Sequence, residues 1–214
     1  MLTALRHNDN KKTMRIGLIS DTHMPGSLQD LWPQVYRAFE GVECILHGGD
    51  LHTLGVVDRL CDLAPTYVSA GNGDRGLQDE RLKETWMLNL GGIKIGMIHR
   101  FPSPERRSRE HISAYIDRHF QGDFPQVMVY GHTHMEAVHE VDGILCVNPG
   151  SPTLPHNKSV RMGTIGYLDI IDDVVTASIH QLTEDGLQPH GGISPVKTRF
   201  NGFQGTKGPG LGGE

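Results

Sequence analysis

Gln126-Val127-Met128-Val129-Tyr130-Gly131-His132-Thr133-His134 is an apolar run that breaks into a glycine and two histidines. Its β-branched and aromatic residues read as a buried strand with a polar tip. If the extended backbone continues through the tip, residues i and i+2 share a side, and His132 and His134 aim both imidazoles at one point. Paired imidazoles are common ligands of divalent metals. In a chain with 13 histidines, the pair taken alone reads more simply as two solvated loop residues. Its weight depends on whether other strands end the same way.

They do. Met14 to Ser20 is an apolar strand that runs into Asp21-Thr22-His23. Glu43 to His47 ends in Gly48-Gly49-Asp50, where two glycines imply a backbone passing close to something and an acid presented at the tip. Thr66 to Ala70 ends in Gly71-Asn72-Gly73-Asp74. Between these strands lie helical stretches, Ser27 to Phe39 in two pieces broken at Pro33 and Val56 to Leu63. Strands alternating with helices indicate a parallel α/β sheet, whose ligands gather outside the carboxyl ends of the strands. The second half reads as hairpins. Trp86 to Leu90 pairs with Ile93 to Ile98 and leads to His99; Ala137 to Val141 pairs with Ile144 to Val147 across Asp142-Gly143; Thr164 to Ile171 pairs with Val174 to Leu182. A helix is predicted from Ser103-Pro104-Glu105 to about Phe120.

The 214 residues suggest one domain with tails, and the net charge of −5 argues against a general nucleic-acid binder. Cys44, Cys61 and Cys146 fit neither a disulfide framework nor a cysteine-rich zinc site, which points to reduced thiols and a cytoplasmic location. No apolar run approaches the ~20 residues of a membrane span. Residues 1–13 are polar and read as a loose N-terminal extension ahead of a domain over 14–182. Residues 183–214, rich in glycine and proline, read as a flexible tail.

The strand tips offer Asp21, His23, Asp50, Asn72, His99, His132 and His134. A mixed carboxylate, amide and imidazole set without thiolate suits Mn, Fe, Zn, Ni or Co. Seven side chains exceed one tetrahedral shell. Two ions about 3.5–4 Å apart, sharing one carboxylate, are a standard clamp for phosphate ester hydrolysis. The ordered set D-x-H, G-G-D, G-N-x-D, H and G-H-x-H resembles the calcineurin-like metallophosphoesterase superfamily. With the Asn148-Pro149-Gly150-Ser151 turn, the chain looks most similar to the small single-domain prokaryotic phosphodiesterases of the YfcE type. The resemblance covers about Met14 to Leu182. It implies the metallo-dependent phosphatase fold, a four-layer α/β sandwich of two mixed β-sheets flanked by helices. It also implies two divalent ions, manganese first among them. One would be held by Asp21, His23, Asp50 and His134, the other by Asp50, Asn72, His99 and His132. A hydroxide bridging the ions would attack phosphorus in line.

Two positions depart from the pattern. Relatives often carry His or Cys after the Asn, where this chain has Gly73. The small phosphodiesterases often continue H-G-H after the fifth strand, where this chain has His99-Arg100-Phe101. Arg100, and beside the third tip Arg75, are the candidate substrate-phosphate contacts, and Asp74 is expected to orient a neighbouring ligand from behind. His52 has no role assigned by its motif. The expected activity is hydrolysis of small organic phosphate diesters. A nuclease or nucleotide pyrophosphohydrolase with the same site is the alternative, although no basic stripe is evident. A non-catalytic scaffold, as in the eukaryotic retromer subunit of this fold, is disfavoured because all seven ligand positions are retained. A homo-oligomer is compatible with the sequence; a membrane partner is not expected.

Overall fold

The structure, a computed structural model, describes residues 13–200. Residues 1–12 and 201–214, and with them most of the expected extension and the end of the expected tail, lie outside the described residues. In chain order the first strands are β1 (Thr13–Ile19), β2 (Cys44–His47), β3 (Thr66–Ser69), β4 (Leu82–Lys83), β5 (Thr85–Leu90) and β6 (Ile93–Ile98). They are followed by β7 (Val127–Val129), β8 (Ala137–Val141), β9 (Ile144–Asn148), β10 (Thr164–Ile171), β11 (Val174–Thr183), β12 (Gly186–Pro189) and β13 (Val196–Arg199). The helices are α1 (Pro33–Phe39), α2 (Gly55–Cys61) and α3 (Arg109–Phe120).

The strands form two mixed sheets. One runs β12-β11-β10-β1-β2-β3-β4, with β13 also paired to β11; the other runs β5-β6-β7-β9-β8. The β1-β2-β3-β4 and β6-β7-β9 pairings are parallel, and the outer pairings are antiparallel. Apolar burial explains the layering. Ile16, Leu18 and Leu46 face Ile95, Met97, Val127 and Val147 between the sheets. Ile19 and Ile45 point the other way onto Val35, Phe39, Val57 and Leu60 of α1 and α2. Met128 and Cys146 pack on Ile112, Ile116 and Phe120 of α3. Strands covered on both faces need apolar side chains at nearly every position, which is why they were visible as continuous runs. The result is the expected four-layer sandwich.

Three local expectations change. Pro33 does not break a helix; it is the first residue of α1, where its missing N–H costs nothing. Helix α3 starts five residues later than Ser103-Pro104-Glu105 suggests. Ser108 caps it by accepting from the His111 N–H, while Ser103 O closes a separate turn with Arg106 N. The tail expected from Thr183 is structured through Arg199. Strand β12 pairs with residues 180–183 of β11, and β13 pairs with residues 174–177 of the same strand. Leu187 packs on the helix-side core, and Ile193, Val196 and Phe200 pack on the core between the sheets.

Truncation after Thr183 should therefore lower stability. It would remove ladder bonds from β11 and re-expose apolar side chains that each contribute on the order of 1 kcal/mol when partly buried. A thermal melt of the truncated, metal-free protein should show a drop of several degrees. An unchanged melt would mean that β12 and β13 contribute nothing to the fold.

Candidate metal centre

Strands β1, β2, β3, β6 and β7 deliver their tips to one place. Asp21, His23 and His134 form one group whose ligand-type atoms all lie within 4.8 Å of one another, and Asp50, His99 and His132 form a second. Asp50 joins them. Its Oδ2 stands 3.5 Å from His23 Nε2 and 3.5 Å from His99 Nε2, while its Oδ1 accepts from Gly73 N–H at 2.7 Å. Asp21 Oδ1 lies 3.6 Å from His134 Nε2. His132 and His134 thus serve different groups, and the extended reading of their tip does not hold. Strand β7 stops at Val129, and both histidines are left-handed, with φ of 71° and 56°.

Left-handed backbone recurs through the site at Asp21 (φ 53°), His23 (48°), Asp50 (57°) and His52 (73°). Such conformations cost non-glycine residues about 1–3 kcal/mol each and persist only where the surroundings over-determine them. The surroundings here are hydrogen bonds between loops. Asp21 N–H donates to Gly49 O and His23 N–H to Asp50 O, both at 2.9 Å. Asp74, 3 % exposed, accepts from the backbone N–H groups of Asp50, Leu51, His52 and Gly71 at 2.7–3.0 Å. Behind the first tip, Ser151 Oγ donates to Asp21 O at 2.7 Å and Thr153 Oγ1 to Thr22 O at 2.9 Å. Asn148 Nδ2 donates to Gly131 O and to Thr133 Oγ1. The turn at 148–151 therefore braces the loops rather than only reversing the chain. The glycines before Asp50 have the expected cause: a Cβ at Gly49 (φ +97°) would stand 2.2 Å from Ser69 O and 2.8 Å from His99 Nδ1.

The ring nitrogens are sorted. His99 Nδ1 bonds Gly48 O at 2.6 Å, and His134 Nδ1 bonds Leu154 O at 2.8 Å. A carbonyl can only accept, so each Nδ1 carries the proton and each Nε2 presents a lone pair inward. His99 Nε2 is buried and has no hydrogen-bond partner, and His23 Nε2 faces His134 Nε2 at 3.0 Å. Buried lone pairs directed at one another and at carboxylates are an arrangement that a cation relieves, so the donor set fits divalent metal. Burial pulls the His23 imidazole down to about 4 and lowers His134 and His132, the last also through the neighbouring Arg100 cation. Neutral imidazole is the form that binds metal. Burial also raises Asp21 well above the ordinary carboxylate range.

The remaining expected residues stand at the rim. Asn72 opens the short turn Asn72–Asp74 and lines a cavity of about 440 Å³ together with His99, His132, Arg75, Arg100, Tyr115 and others. Arg100 Nε and Nη2 donate to His132 Nε2 at 3.1 and 2.9 Å, and Tyr115 OH donates to Arg100 O. His52 is the participant that the motifs missed: its Nε2 lies 2.9 Å from His23 Nδ1. The only sequence signal was its position two residues after Asp50. Cys44 and Cys146 are buried free thiols, pushed up to about 12 by burial. Among the described residues no helix is long and apolar enough to cross a membrane.

Comparison with known proteins agrees with this geometry. The profile of the calcineurin-like phosphoesterase superfamily domain matches residues 14–173. A probable metallophosphoesterase of Methanothermobacter thermautotrophicus is 34% identical over 144 residues, 66% of this chain and 79% of the relative. Phosphodiesterase MJ0936 of Methanocaldococcus jannaschii is 30% identical over 169 residues, 73% of this chain and 93% of the relative. Among solved structures, vacuolar protein sorting 29 from Cryptosporidium parvum superposes with a TM-score of 0.70 at 17% identity, covering 88% of this chain and 99% of that one. At that identity the likeness concerns the fold alone.

Proposed function

The chain belongs to the calcineurin-like phosphoesterase superfamily, and from that premise we propose that it hydrolyses small organic phosphate diesters with two divalent ions, manganese first among the candidates. The observation that carries this reading is the pair of largely buried histidine–aspartate groups that meet at the Asp50 carboxylate. Asp21, His23, Asp50 and His134 would hold one ion, and Asp50, Asn72, His99 and His132 the other. When bound, such ions supply hydroxide at neutral pH and neutralise charge on the phosphate. The chain's own part is preorganisation. Carbonyls fix two of the rings, Asp74 fixes the loop that presents Asp50, and burial keeps the imidazoles neutral. Free, buried thiols are consistent with work in a reducing cytoplasm.

Substrate would enter over the cavity beside His99 and His132, where Arg75 and Arg100 can meet phosphate oxygens; guanidinium matches them two at a time. Arg100→Gln should raise KM for a diester roughly tenfold with kcat nearly unchanged, the mark of binding shared by ground and transition states. Initial rates over a wide substrate range would show it. A fall in kcat at constant KM would move Arg100 from substrate capture to the chemical step.

The deciding experiment is a hydrolysis screen of diesters, monoesters, cyclic nucleotides and dinucleotides, each with Mn, Ni, Co, Zn and Mg. Turnover of nitrophenyl diesters with Mn is expected. Preference for dinucleotides would favour the nuclease or pyrophosphohydrolase reading. Protein that carries both ions and turns over none of these substrates would overturn an enzymatic role.

A further inference from the structure

Gly73 is the conspicuous gap in the motif, and the structure shows what fills it. A Cβ built on Gly73 would stand 2.3 Å from His52 Cδ2 and 2.4 Å from His52 Nε2, far inside contact distance. The imidazole of His52 therefore lies where a side chain at position 73 would begin. It comes from the opposite loop, two residues beyond Asp50, in a left-handed conformation (φ 73°) held by the bond from its N–H to Asp74 Oδ1 at 3.0 Å. The ring is exposed at the mouth of the site and stands edge-on to His23, with centroids 4.5 Å apart and planes at 81°. Its Nε2 meets His23 Nδ1 at 2.9 Å.

We infer that His52 is a positioning residue for the group formed by Asp21, His23 and His134, and that residue 73 is glycine because this ring needs the room. The tautomers require this pairing. A cation held by the His23 Nε2 lone pair leaves the proton of that ring on Nδ1, which needs an acceptor; His52 Nε2 is at hydrogen-bonding distance. His99 and His134 meet the same requirement with the carbonyls of Gly48 and Leu154. For His23 an imidazole does that work. Partners of this kind fix ring orientation and tautomer, and losing one typically costs 10–100-fold in metal affinity.

The inference rests on the two-metal reading and is tested by metal binding rather than turnover. Metal-free protein is titrated with Mn2+, and free ion is followed by paramagnetic resonance. His52→Ala should weaken one of two Mn2+ sites by about 10–100-fold and leave the other within about threefold, with the metal-free melting curve unchanged. In a His134→Ala background, where that group is already broken, His52→Ala should have no further effect on the remaining ion. Gly73→Ala should reproduce the His52→Ala defect by displacing the ring, and the double variant should be no worse than His52→Ala, because both changes remove one contact. His52→Gln, whose amide oxygen can accept, should recover part of the affinity. Wild-type binding by His52→Ala, or losses that multiply in the double variant, would overturn the assignment. If Gly73→Ala does not fold, the contrast between alanine and glutamine at position 52 decides. Failure of the wider functional reading would look different: two tightly bound ions and no hydrolysis.

Discussion

Asp50→Asn is expected to retain neither ion tightly and to lose diester hydrolysis by a factor on the order of 10³ or more, equivalent to about 4 kcal/mol of transition-state stabilisation. The two carboxylate oxygens have different jobs. Oδ1 accepts from Gly73 N–H, which leaves Oδ2 alone to face both His23 Nε2 and His99 Nε2. In asparagine, the amide oxygen will keep the Gly73 bond and the NH2 group will take the place of Oδ2. An acceptor shared by both groups becomes a donor. Flipping the amide would restore the oxygen only by setting NH2 against the Gly73 N–H. The same swap should not harm the metal-free fold, because an NH2 at that point can donate to the unpartnered His99 Nε2. The substitution thus separates function from folding. Metal content by mass spectrometry should fall for both sites, while the metal-free melting temperature should hold or rise. By contrast, His134→Ala should affect mainly one ion. Full occupancy in the Asp50 variant would remove Asp50 from its place between the groups.

The layers and the gathering of ligand-type residues at one place were legible because both follow from strong local signals. Strands buried on two faces spell themselves out as apolar runs, and their tips end in glycine and ligand-type residues. The signals failed where the determinant was not local. Strand β12 is Gly-Leu-Gln-Pro, with two breakers in four residues and no alternation; it is a strand only because β11 offers an edge to pair with. The start predicted for α3 at Ser103-Pro104-Glu105 had sound local signals, but the capping bond was made at Ser108. His132 and His134 are sent to different groups by left-handed backbone held by other loops, which periodicity cannot anticipate. The partnership of His52 and Gly73 spans two loops and depends on an absent side chain, so neither residue announces it alone.

Asp74→Ala should be the most damaging single substitution to the fold around the site. Four backbone N–H groups converge on this carboxylate, those of Leu51 and His52 on Oδ1 and those of Asp50 and Gly71 on Oδ2. The His52 and Gly71 amides lie near the surface and can turn to water. Those of Asp50 and Leu51 belong to residues only 2 % and 0 % exposed. A buried donor left unpaired costs about 1–3 kcal/mol, so these two alone imply about 2–6 kcal/mol. For a domain of this size that is a melting temperature lower by on the order of 10 °C. Asp74→Asn should rescue little. Its single oxygen can serve one pair of amides, and its NH2 must then oppose the other pair. Charge matters as well as shape. Burial pushes the Asp74 carboxyl up, but the N–H groups of Gly71, His52 and Leu51, with His47 nearby, outweigh it and hold the group below its ordinary value. A carboxylate held low in the folded state stabilises the protein above its unfolded value of about 3.9. That contribution is lost as pH falls below it toward the folded value. The wild type should therefore lose stability on the acid side of pH 4, and Asp74→Asn should show a shallower loss over the same interval. Melting curves of the metal-free proteins from pH 3 to pH 7 would test both points. An asparagine variant that melts with the wild type at pH 7 would mean that Asp74 holds the loop by shape alone, and the placement of Asp50 would need another cause.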